Sequence, residues 1–423
     1  MTAPGWRGRI LLAALILGAV AVHLSSLQGA WRGAQRVGGG NDFASYHYAT
    51  RLAAAGDDPY DVGALRSAAR RDGLLRGVHP FFYPPPFLLS TAWTLPLSLR
   101  TAYRTWFWLD ELAALLAGLA LARWWRALGP AVPVALLVVL AALDALPNNH
   151  VMGQMNLPVL ALVVGGLWAD ARERTTLAGV LLGVACMLKM APALFVAWWL
   201  LHRRWRPVAV AVATAVAVSV LALPLVGLAH QLRFYVEVLP GFGSGSYNGL
   251  SVGIDLFGNH SLANLFDERW PPDGRHVQLT DAARRATTAT VLALVTLTAV
   301  ALRRAPADPM ARAGQVGAVS ALTLLVPVYT YEHHLVWLVL PAVAVVAALV
   351  RRRLAAAWWL PVLLAWGAWC VPLVDLKAQA TALAPDHVAL AWLLRESKLG
   401  AVLVLYAAAL VVGRSSTPTL EDA

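Results

Sequence analysis

Long apolar runs alternate with short polar segments along most of this 423-residue chain. A helix that crosses a membrane needs about 20 mostly apolar residues, because the hydrocarbon core is about 30 Å thick. The pattern therefore predicts an all-α polytopic membrane protein with about twelve transmembrane helices. The runs assigned as spans are 10–27, 85–99, 104–122, 131–147, 154–169, 176–201, 207–228, 283–302, 314–331, 335–350, 355–374 and 397–413.

Proline interrupts several of these runs. Three prolines at 84–86 open the second run, Pro192 interrupts the sixth and Pro327 lies inside the ninth. Proline disrupts helical hydrogen bonding, and such breaks are tolerated at membrane depth where the backbone lines a cavity or is covered by protein. The prolines therefore indicate broken helices that face protein or a cavity.

The composition supports a membrane protein. The chain is 59% hydrophobic and 13% charged, whereas a soluble domain carries about 25% charged residues. The net charge of +11 comes from arginines clustered between apolar runs, as at 203–206 and 351–353. Membrane topology requires this distribution, so no nucleic-acid partner is expected. Cys186 and Cys370 lie inside apolar runs and indicate neither a disulfide framework nor a metal site.

The arginines also predict the orientation of the chain. Arg7 and Arg9 place the N-terminus in the cytoplasm, and the run after them is interpreted as a retained signal anchor in the cell membrane. Twelve crossings then put the loops 28–84 and 229–282, together with residues 332–334, on the extracytoplasmic side.

A second topology scheme places fewer arginines on the extracytoplasmic side of the membrane. In it, 85–99 dips into the membrane without crossing, and 176–201 is a helical hairpin broken near Lys189. Both schemes agree on the outside location of the two long loops and of residues 332–334.

The two long loops are expected to carry function, because loops beyond about 12–15 residues are usually functional or disordered. In loop 28–84, the segments 43–55 and 62–75 are predicted to be short amphipathic helices on the membrane surface, with their aromatic residues facing lipid. We predict a single integral-membrane domain over residues 1–414 and a disordered tail at 415–423.

Asp42 is the first candidate functional residue. It follows the first apolar run and precedes an aromatic-rich stretch. A simpler role is that of a helix N-cap for 43–55, because aspartate is favoured there and gains from the helix dipole. The two roles are compatible.

Lys189 is the second candidate. It is one of three lysines among 34 basic residues, and it alone lies deep in an apolar run. A charge near the bilayer centre costs about 2.5–3.5 kcal/mol and indicates function by default. The ammonium suits a phosphate or a carboxylate partner. The alternatives are a lysine that snorkels to the interface and an ion pair with Asp144 or Asp110.

Glu332, His333 and His334 form a third candidate group at an outer membrane face. The two histidines beside the glutamate could donate hydrogen bonds to a phosphate or sugar, or bind a metal. Adjacent histidines on a helix point about 100° apart, which makes chelation of one ion by both awkward. Hydrogen bonding to an anionic head group is therefore favoured.

Two further polar clusters are candidates for substrate binding. Asn259 and Ser261, in the second long loop, could hold a sugar, although the Asn-x-Ser pattern also fits an N-glycosylation acceptor. Gln154 and Asn156 precede a span and could equally form an interhelical hydrogen-bonded patch. The adjacent acids at 110–111 lie in an apolar helix, so at least one of them should face a cavity or a basic partner.

These motifs, in this order, resemble the C-type glycosyltransferases, and more closely the polyprenol-phosphate-mannose-dependent mannosyltransferases of glycosyltransferase family 87. The resemblance covers about residues 40–345, with tyrosine in place of a tryptophan at position 331. The segments that carry it are Asp42 with Tyr46 and Tyr48, then 56–60, 81–85, 153–156, 189–192 with 204–205, 259–262 and 331–334.

The resemblance implies an inverting transferase that moves a sugar, mannose being expected, from a polyprenyl monophosphate to a glycolipid or cell-envelope glycan outside the membrane. Asp42 would be the general base that deprotonates the acceptor hydroxyl. A single phosphate needs less charge neutralisation than a diphosphate, so neither a metal nor another cofactor is expected. The residues implied in donor binding are Lys189, His333, His334, Glu332, Asn259, Ser261 and Tyr83, with Tyr46, His47, Gln154 and Asn156 as further candidates.

Two rival functions stay open. One is a polyprenyl-phosphate arabinosyltransferase of the same fold, which the motifs do not exclude. A lipid or sugar transporter or flippase would also be polytopic, but transporters often show inverted repeats with a site at the midplane, and no repeat is visible in this chain. The acceptor, the linkage position and the oligomeric state are not predicted.

Overall fold

The computed structural model describes residues 6–37, 40–74, 76–129, 143–243, 253–274 and 276–414, with a few isolated residues between 132 and 139. Over these ranges the regular structure is helical, and an isolated bridge between Asn259 and Tyr331 is the one pairing of extended backbone. The prediction of an all-α polytopic membrane protein is confirmed. The predicted tail 415–423 and much of the run 131–147 lie outside the described residues.

Twenty α-helices are described, with short 3₁₀ or π segments between some of them. They are α1 (Trp6–Val37), α2 (Asn41–Ala54), α3 (Val62–Arg71), α4 (Phe87–Thr91), α5 (Leu99–Trp124), α6 (Ala145–Met152), α7 (Asn156–Ala171), α8 (Thr175–Leu188), α9 (Ala193–Leu201), α10 (Trp205–Val226), α11 (Leu228–Arg233), α12 (Leu239–Gly243), α13 (Leu262–Arg269), α14 (Asp281–Ala301), α15 (Pro309–Leu325), α16 (Val339–Val350), α17 (Trp359–Cys370), α18 (Leu373–Leu383), α19 (Val388–Arg395) and α20 (Ser397–Arg414).

Within the described residues, five helical segments are long and apolar enough to cross a membrane. Two bent pairs, α6 with α7 at 118° and α17 with α18 at 100°, raise the number to seven if each pair makes one crossing. Several of the other predicted runs form shorter or broken helices, as at 85–99 and 176–201, and a short helix does not meet the length requirement. The five segments are Leu12–Arg36, Leu99–Leu128, Trp205–Val226, Glu332–Val350 and Ser397–Arg414.

Two runs differ from uninterrupted spans because of their prolines. The run 85–99 contains only the five-residue α4 and a short 3₁₀ turn before α5 begins at Leu99. The run 176–201 is divided into α8 and α9, and Lys189 between them has an extended backbone (φ −155°, ψ 136°). A proline disfavours helical conformation in the residues before it and removes a donor, so Pro192 accounts for this break.

The first long loop folds differently from its prediction. Its two helices exist as α2 and α3, but the aromatic residues of α2 do not face lipid. Phe43, Tyr46 and Tyr48 are each at most 1% exposed. Phe43 packs against Tyr103 and Trp106 of α5, with ring centroids 5.7 and 5.6 Å apart. The burial extends to polar side chains of the same helix, Asp42, Ser45, His47 and Thr50, and α2 therefore forms part of the core.

Small residues allow several helix pairs to approach closely. A Cβ on Gly314 of α15 would lie 2.5 Å from the backbone nitrogen of Gly413 in α20. A Cβ on Gly183 of α8 would lie 2.6 Å from the carbonyl oxygen of Ala211 in α10. Close backbone approach through small residues is the usual packing mode of membrane helices. These contacts hold the bundle around the buried polar groups described next.

Candidate active site

The start of α2 and the end of α6 meet at two glycines. Gly40 precedes α2 with φ 33°, and a Cβ there would lie 2.7 Å from the carbonyl oxygen of Met152. Gly153 ends α6 with φ 70°, in the left-handed region, and its Cβ would lie 2.6 Å from that of Phe43. Only glycine fits such close approach at positive φ. The crossing brings Gln154 to Asp42 across 112 residues of sequence.

Asp42 lies in the first turn of α2 and does not cap it, since Gly40 occupies the N-cap position. Its Oδ1 lies 2.9 Å from Nδ1 of His79, and its Oδ2 accepts a 2.7 Å hydrogen bond from Nε2 of Gln154. The side chain is 13% exposed. These two partners therefore fix the orientation of the Asp42 carboxylate, and a small part of it remains accessible to solvent.

The charges around Asp42 favour its ionised form. Burial acts to raise the pKa of Asp42, but the hydrogen bond and charge of His79, the charge of His333 and the hydrogen bond of Gln154 outweigh it, and the pKa is lowered. The pKa of His79 is raised, chiefly by its hydrogen bond to Asp42 and against the effect of burial. Each member of this pair thus stabilises the charged form of the other.

Two tyrosines fix the orientation of Gln154. The hydroxyl of Tyr46 donates to that of Tyr83 at 2.7 Å, and both hydroxyls contact Oε1 of Gln154, at 3.2 and 2.9 Å. Burial raises the pKa of both phenols, so they remain protonated donors. Because Oε1 accepts from the tyrosines, the amide nitrogen of Gln154 must face Asp42. We call Asp42, His79, Gln154, Tyr46 and Tyr83 the Asp42 cluster.

Lys189 reaches this cluster from the break between α8 and α9. Its Nζ donates a 2.5 Å hydrogen bond to Oδ1 of Asn156 and lies 5.9 Å from the ring centroid of Tyr83. The Asn156 amide nitrogen donates to the backbone carbonyl of His333 at 3.0 Å. One carboxamide therefore links the ammonium to the segment that carries the paired histidines.

His333 and His334 lie at the start of the 3₁₀ helix Glu332–Leu338, with ring centroids 4.4 Å apart. Nδ1 of His334 accepts a hydrogen bond from the backbone nitrogen of Tyr331 at 3.0 Å, which leaves its Nε2 as the protonated nitrogen of a neutral ring. His333 is 4% exposed, and its Nε2 has no hydrogen-bond partner among the described residues.

Glu332 points away from the Asp42 cluster. Its Oε1 accepts a 2.6 Å hydrogen bond from Nζ of Lys398, and its Oε2 lies 3.0 Å from Nε2 of His260. The Lys398 ammonium is also 3.7 Å from Asp144. Lys398 is 0% and Glu332 3% exposed. Glu332 is thus the buried counter-ion of Lys398, which lies in α20.

Asn259 and Ser261 bond to backbone. Asn259 accepts from the nitrogen of Thr330 at 2.9 Å and donates to the carbonyl of Ile254 at 2.9 Å. Ser261 donates to the carbonyl of Val328 at 2.7 Å and caps α13. Both side chains attach the second long loop to the strand-like segment before residue 332. We call Glu332, Lys398, His260, Asn259 and Ser261 the brace.

His47 also lies apart from the Asp42 cluster. It is fully buried on α2, and neither ring nitrogen has a hydrogen-bond partner in the described part of the chain. Burial and then the charge of Arg51 lower the pKa of His47 to about 4, so its ring is neutral. A neutral ring beside Tyr48 behaves as a packing residue.

Sequence reasoning missed His79, the direct partner of Asp42. The residue stands alone between the second helix of loop 28–84 and the aromatic segment 81–85, where no periodic pattern or charge cluster indicates it. Sequence reasoning also missed His260 and Lys398 as partners of Glu332. Across the described ranges, no group of three or more histidine, cysteine, aspartate or glutamate side chains is arranged to hold a metal ion.

The model of glycosyltransferase family 87 matches residues 81–327, which is more than half of the chain. The chain belongs to glycosyltransferase family 87. The match contains Tyr83, Gln154, Asn156 and Lys189, whereas Asp42 and the paired histidines lie outside it. The sequence-based assignment to family 87 is confirmed, and the protein is a multi-pass membrane glycosyltransferase.

No curated protein matches the family 87 chain in a sequence search. Among solved structures, it is similar to ArnT from Cupriavidus metallidurans, whose crystal structure was determined with bound undecaprenyl phosphate. The two sequences are 15% identical, the match covers 97% of this chain and 77% of ArnT, and the TM-score is 0.42.

Proposed function

We propose that this family 87 protein transfers a sugar, with mannose the expected one, from a polyprenyl monophosphate to a hydroxyl group of a lipid-linked or cell-envelope glycan. Asp42 is the general base, and the new linkage is inverted. The observation that carries the proposal is the setting of Asp42. A buried, ionised carboxylate is held by His79 and Gln154 beside the only described lysine that opens into this cluster.

Asp42 is suited to accept the proton of the acceptor hydroxyl. Each of its oxygens has one protein partner, and a carboxylate offers about four acceptor positions, so lone pairs remain for the acceptor. The hydroxyl oxygen attacks the anomeric carbon as its proton passes to Asp42. The bond from that carbon to the phosphate oxygen breaks, and its electron pair leaves with the polyprenyl phosphate. A positioned general base contributes about 10²–10⁴-fold to such a step.

Lys189 and the paired histidines supply donors for the leaving phosphate. The Lys189 ammonium has spare protons beyond its bond to Asn156. Nε2 of His333 has no partner in the described chain, and the Nε2 proton of His334 remains available. Donors that are fixed before the reaction stabilise developing charge without reorganisation. They face the negative charge that the phosphate gains as the glycosidic bond breaks.

His79 connects Asp42 to solvent. Its side chain is 40% exposed, whereas that of Asp42 is 13% exposed. The imidazole therefore offers a route by which the proton taken from the acceptor leaves the buried carboxylate. We place the reaction on the extracytoplasmic side of the cell membrane, where both topology schemes put residues 28–84 and 332–334.

A transfer assay tests the proposal. The purified protein in nanodiscs is given polyprenyl-phosphate [¹⁴C]mannose and a glycolipid extract, with polyprenyl-phosphate arabinose in a parallel reaction. We expect labelled hexose in a product whose anomeric configuration, measured by NMR, is inverted, and no such product with Asp42→Asn. Transfer of pentose alone would replace the proposal with an arabinosyltransferase. In sealed proteoliposomes, movement of intact donor between leaflets without transfer would indicate a flippase.

A further inference from the structure

A continuous chain of buried polar side chains runs from the middle of the bundle to Lys189. Oδ2 of Asp110 accepts from the amide nitrogen of Asn149 at 2.8 Å. Oδ1 of Asn149 accepts from the amide nitrogen of Asn156 at 3.0 Å, and Oδ1 of Asn156 accepts from Lys189 at 2.5 Å. Asp110, Asn149 and Asn156 are each 0% exposed. We call these three residues and Lys189 the amide chain.

The two ends of the amide chain fix its direction. An ionised carboxylate only accepts hydrogen bonds, so Asp110 requires the amide nitrogen of Asn149 to face it. The oxygen of Asn149 then faces Asn156, and the oxygen of Asn156 is left for Lys189. An ammonium only donates, so the last link matches. Each carboxamide therefore has one orientation, and that orientation aims a carbonyl dipole at Lys189.

Asp110 is held at the other end by a second set of buried groups. Nδ1 of His150 lies 2.8 Å from Oδ2 of Asp110, and its Nε2 lies 3.0 Å from Oε2 of Glu111. The other oxygen of Glu111 lies 2.9 Å from Nε2 of His23 on α1. Two carboxylates on one imidazole require protons at both ring nitrogens. This arrangement immobilises Asp110 and leaves Glu111 off the path to Lys189.

Stability alone does not account for this chain. Buried ionic groups are often replaced by apolar residues without loss of stability. In addition, Oδ1 of Asp110 is buried without a hydrogen-bond partner in the described residues, which is an unfavourable state for a carboxylate oxygen. Such a group in a native protein calls for an explanation, and the amide chain that begins at the same carboxylate supplies one.

We propose that Asp110 is a positioning residue for the donor phosphate. It acts through Asn149 and Asn156, whose fixed orientation keeps a carbonyl oxygen on the Lys189 ammonium and holds that ammonium in place. The inference rests on the proposed function, in which Lys189 receives that phosphate. Asn156 also bonds to the His333 carbonyl, so the same chain sets the spacing between the ammonium and the paired histidines. Direct pairing of Asp110 with Lys189 would neutralise the cation, whereas two intervening amides leave it free for a ligand.

Binding of farnesyl phosphate to the full-length protein in detergent tests this proposal, with farnesol as the probe that lacks a phosphate. Asp110→Asn removes the charge, and because an amide can donate as well as accept, position 110 no longer fixes the direction of the amide chain. We expect it to weaken farnesyl phosphate binding by about tenfold, as is common for coupled residues of one network, and to leave farnesol binding unchanged. A purely structural role for Asp110 would weaken both probes alike or neither.

A second substitution should restore binding. In Asp110→Asn/Asn149→Asp, the acceptor-only carboxylate moves one link closer to Lys189. The new carboxamide at position 110 can donate to that carboxylate, so every bond of the chain is satisfied again. We expect farnesyl phosphate affinity to return to within about threefold of wild type. If the double variant binds as weakly as the single one, the amide chain does not transmit the effect and the proposal is wrong.

Glu111→Gln is the matched control, because Glu111 is the neighbouring buried acid on the same histidine but has no bond to the amide chain. It should leave farnesyl phosphate affinity unchanged, and an equal loss there would contradict the proposal.

If Asp110→Asn yields no folded protein, Asn156→Ala breaks the last link and gives the same test. Lys189→Gln distinguishes failure of the proposed function from failure of the inference about Asp110. If it binds farnesyl phosphate as wild type does, the proposed function fails, whereas loss with Lys189→Gln but not with Asp110→Asn refutes the inference alone.

Discussion

The Asp42 cluster and the brace are built from the same kinds of residues, but they differ in how completely their charges are matched. In the brace, both oxygens of Glu332 are taken by Lys398 and His260. In the Asp42 cluster, the carboxylate keeps a small opening, and Nε2 of His333 beside it has no partner in the described chain. A group of charges whose members are all paired holds helices together, whereas a group with unpaired members can still bind a ligand. The predictions below test that contrast.

The largest effect is expected at Asp42. Asp42→Asn preserves the shape of the side chain but cannot accept the proton, so single-turnover transfer should fall by about 10²–10⁴-fold. Asp57→Asn, at an exposed acid of the same loop, is the matched control and should transfer at the wild-type rate. Residual transfer within tenfold of wild type would show that Asp42 is not the base.

Lys189→Gln should have the next largest effect. The substitution removes the only described cation at the break between α8 and α9, and transfer should fall by about 10²–10³-fold, as for loss of a preorganised donor. Lys377→Gln, at an exposed lysine, provides the control in the same initial-rate assay. Equal rates for the two variants would place the phosphate elsewhere.

The brace should respond in stability rather than in turnover. Lys398→Met leaves Glu332 as a buried charge whose main partner is gone, which costs about 3–5 kcal/mol. Thermal unfolding should therefore shift strongly downward, while turnover per folded molecule changes little. Lys398→Met/Glu332→Gln removes the stranded charge and should recover part of the stability. A large loss of turnover in a variant of normal stability would show that the brace belongs to the reaction site.

His79→Gln is expected to have the smallest effect at neutral pH. Glutamine can still donate to Asp42, and a single turnover does not need the proton to leave Asp42. Single-turnover transfer should therefore fall by less than about tenfold, in line with about 0.5–1.5 kcal/mol for a neutral hydrogen bond. The pH profile should change more. His79 lowers the pKa of Asp42, so without its charge the carboxylate protonates at higher pH, and the acid limb of kcat/KM moves upward. An acid limb at the same pH as in the wild type would show that His79 does not lower the pKa of Asp42.

The His79–Asp42 pair also makes the free energy of unfolding depend on pH, and the direction differs for the two residues. The raised pKa of His79 means that its contribution is complete below the unfolded value of 6.5 and is lost as pH rises through the folded pKa. The lowered pKa of Asp42 means that its contribution is present above the unfolded value of 3.8 and is lost as pH falls through the folded pKa. Unfolding curves of wild type and His79→Gln should therefore converge at alkaline pH.

Sequence patterns predicted the parts of the fold that depend on local chemistry. The apolar runs predicted the long helices, and Pro192 predicted the break that exposes Lys189. The expectation that the aromatic residues of α2 face lipid was wrong, because its partners on α5 are distant in sequence. The crossing at Gly40 and Gly153 could not be foreseen for the same reason.

The candidate site was predicted in its residue types but not in its contacts. Asp42, Gln154, Asn156 and Lys189 were selected and do lie together, although their roles in the reaction stay predictions. Glu332 was grouped with the donor-binding residues because sequence cannot show that Lys398, 66 residues later, takes its carboxylate. A lone histidine such as His79 carries no periodic or compositional signal and becomes visible only through its distance to Asp42.

A structure of the Asp42→Asn protein with intact polyprenyl-phosphate mannose bound would test the central claim most directly, because this variant should bind the donor without consuming it. We predict the donor phosphate within hydrogen-bonding distance of Nζ of Lys189, with the anomeric carbon between that phosphate and position 42. A phosphate bound away from Lys189, or a sugar on the far side of the phosphate from position 42, would contradict the account.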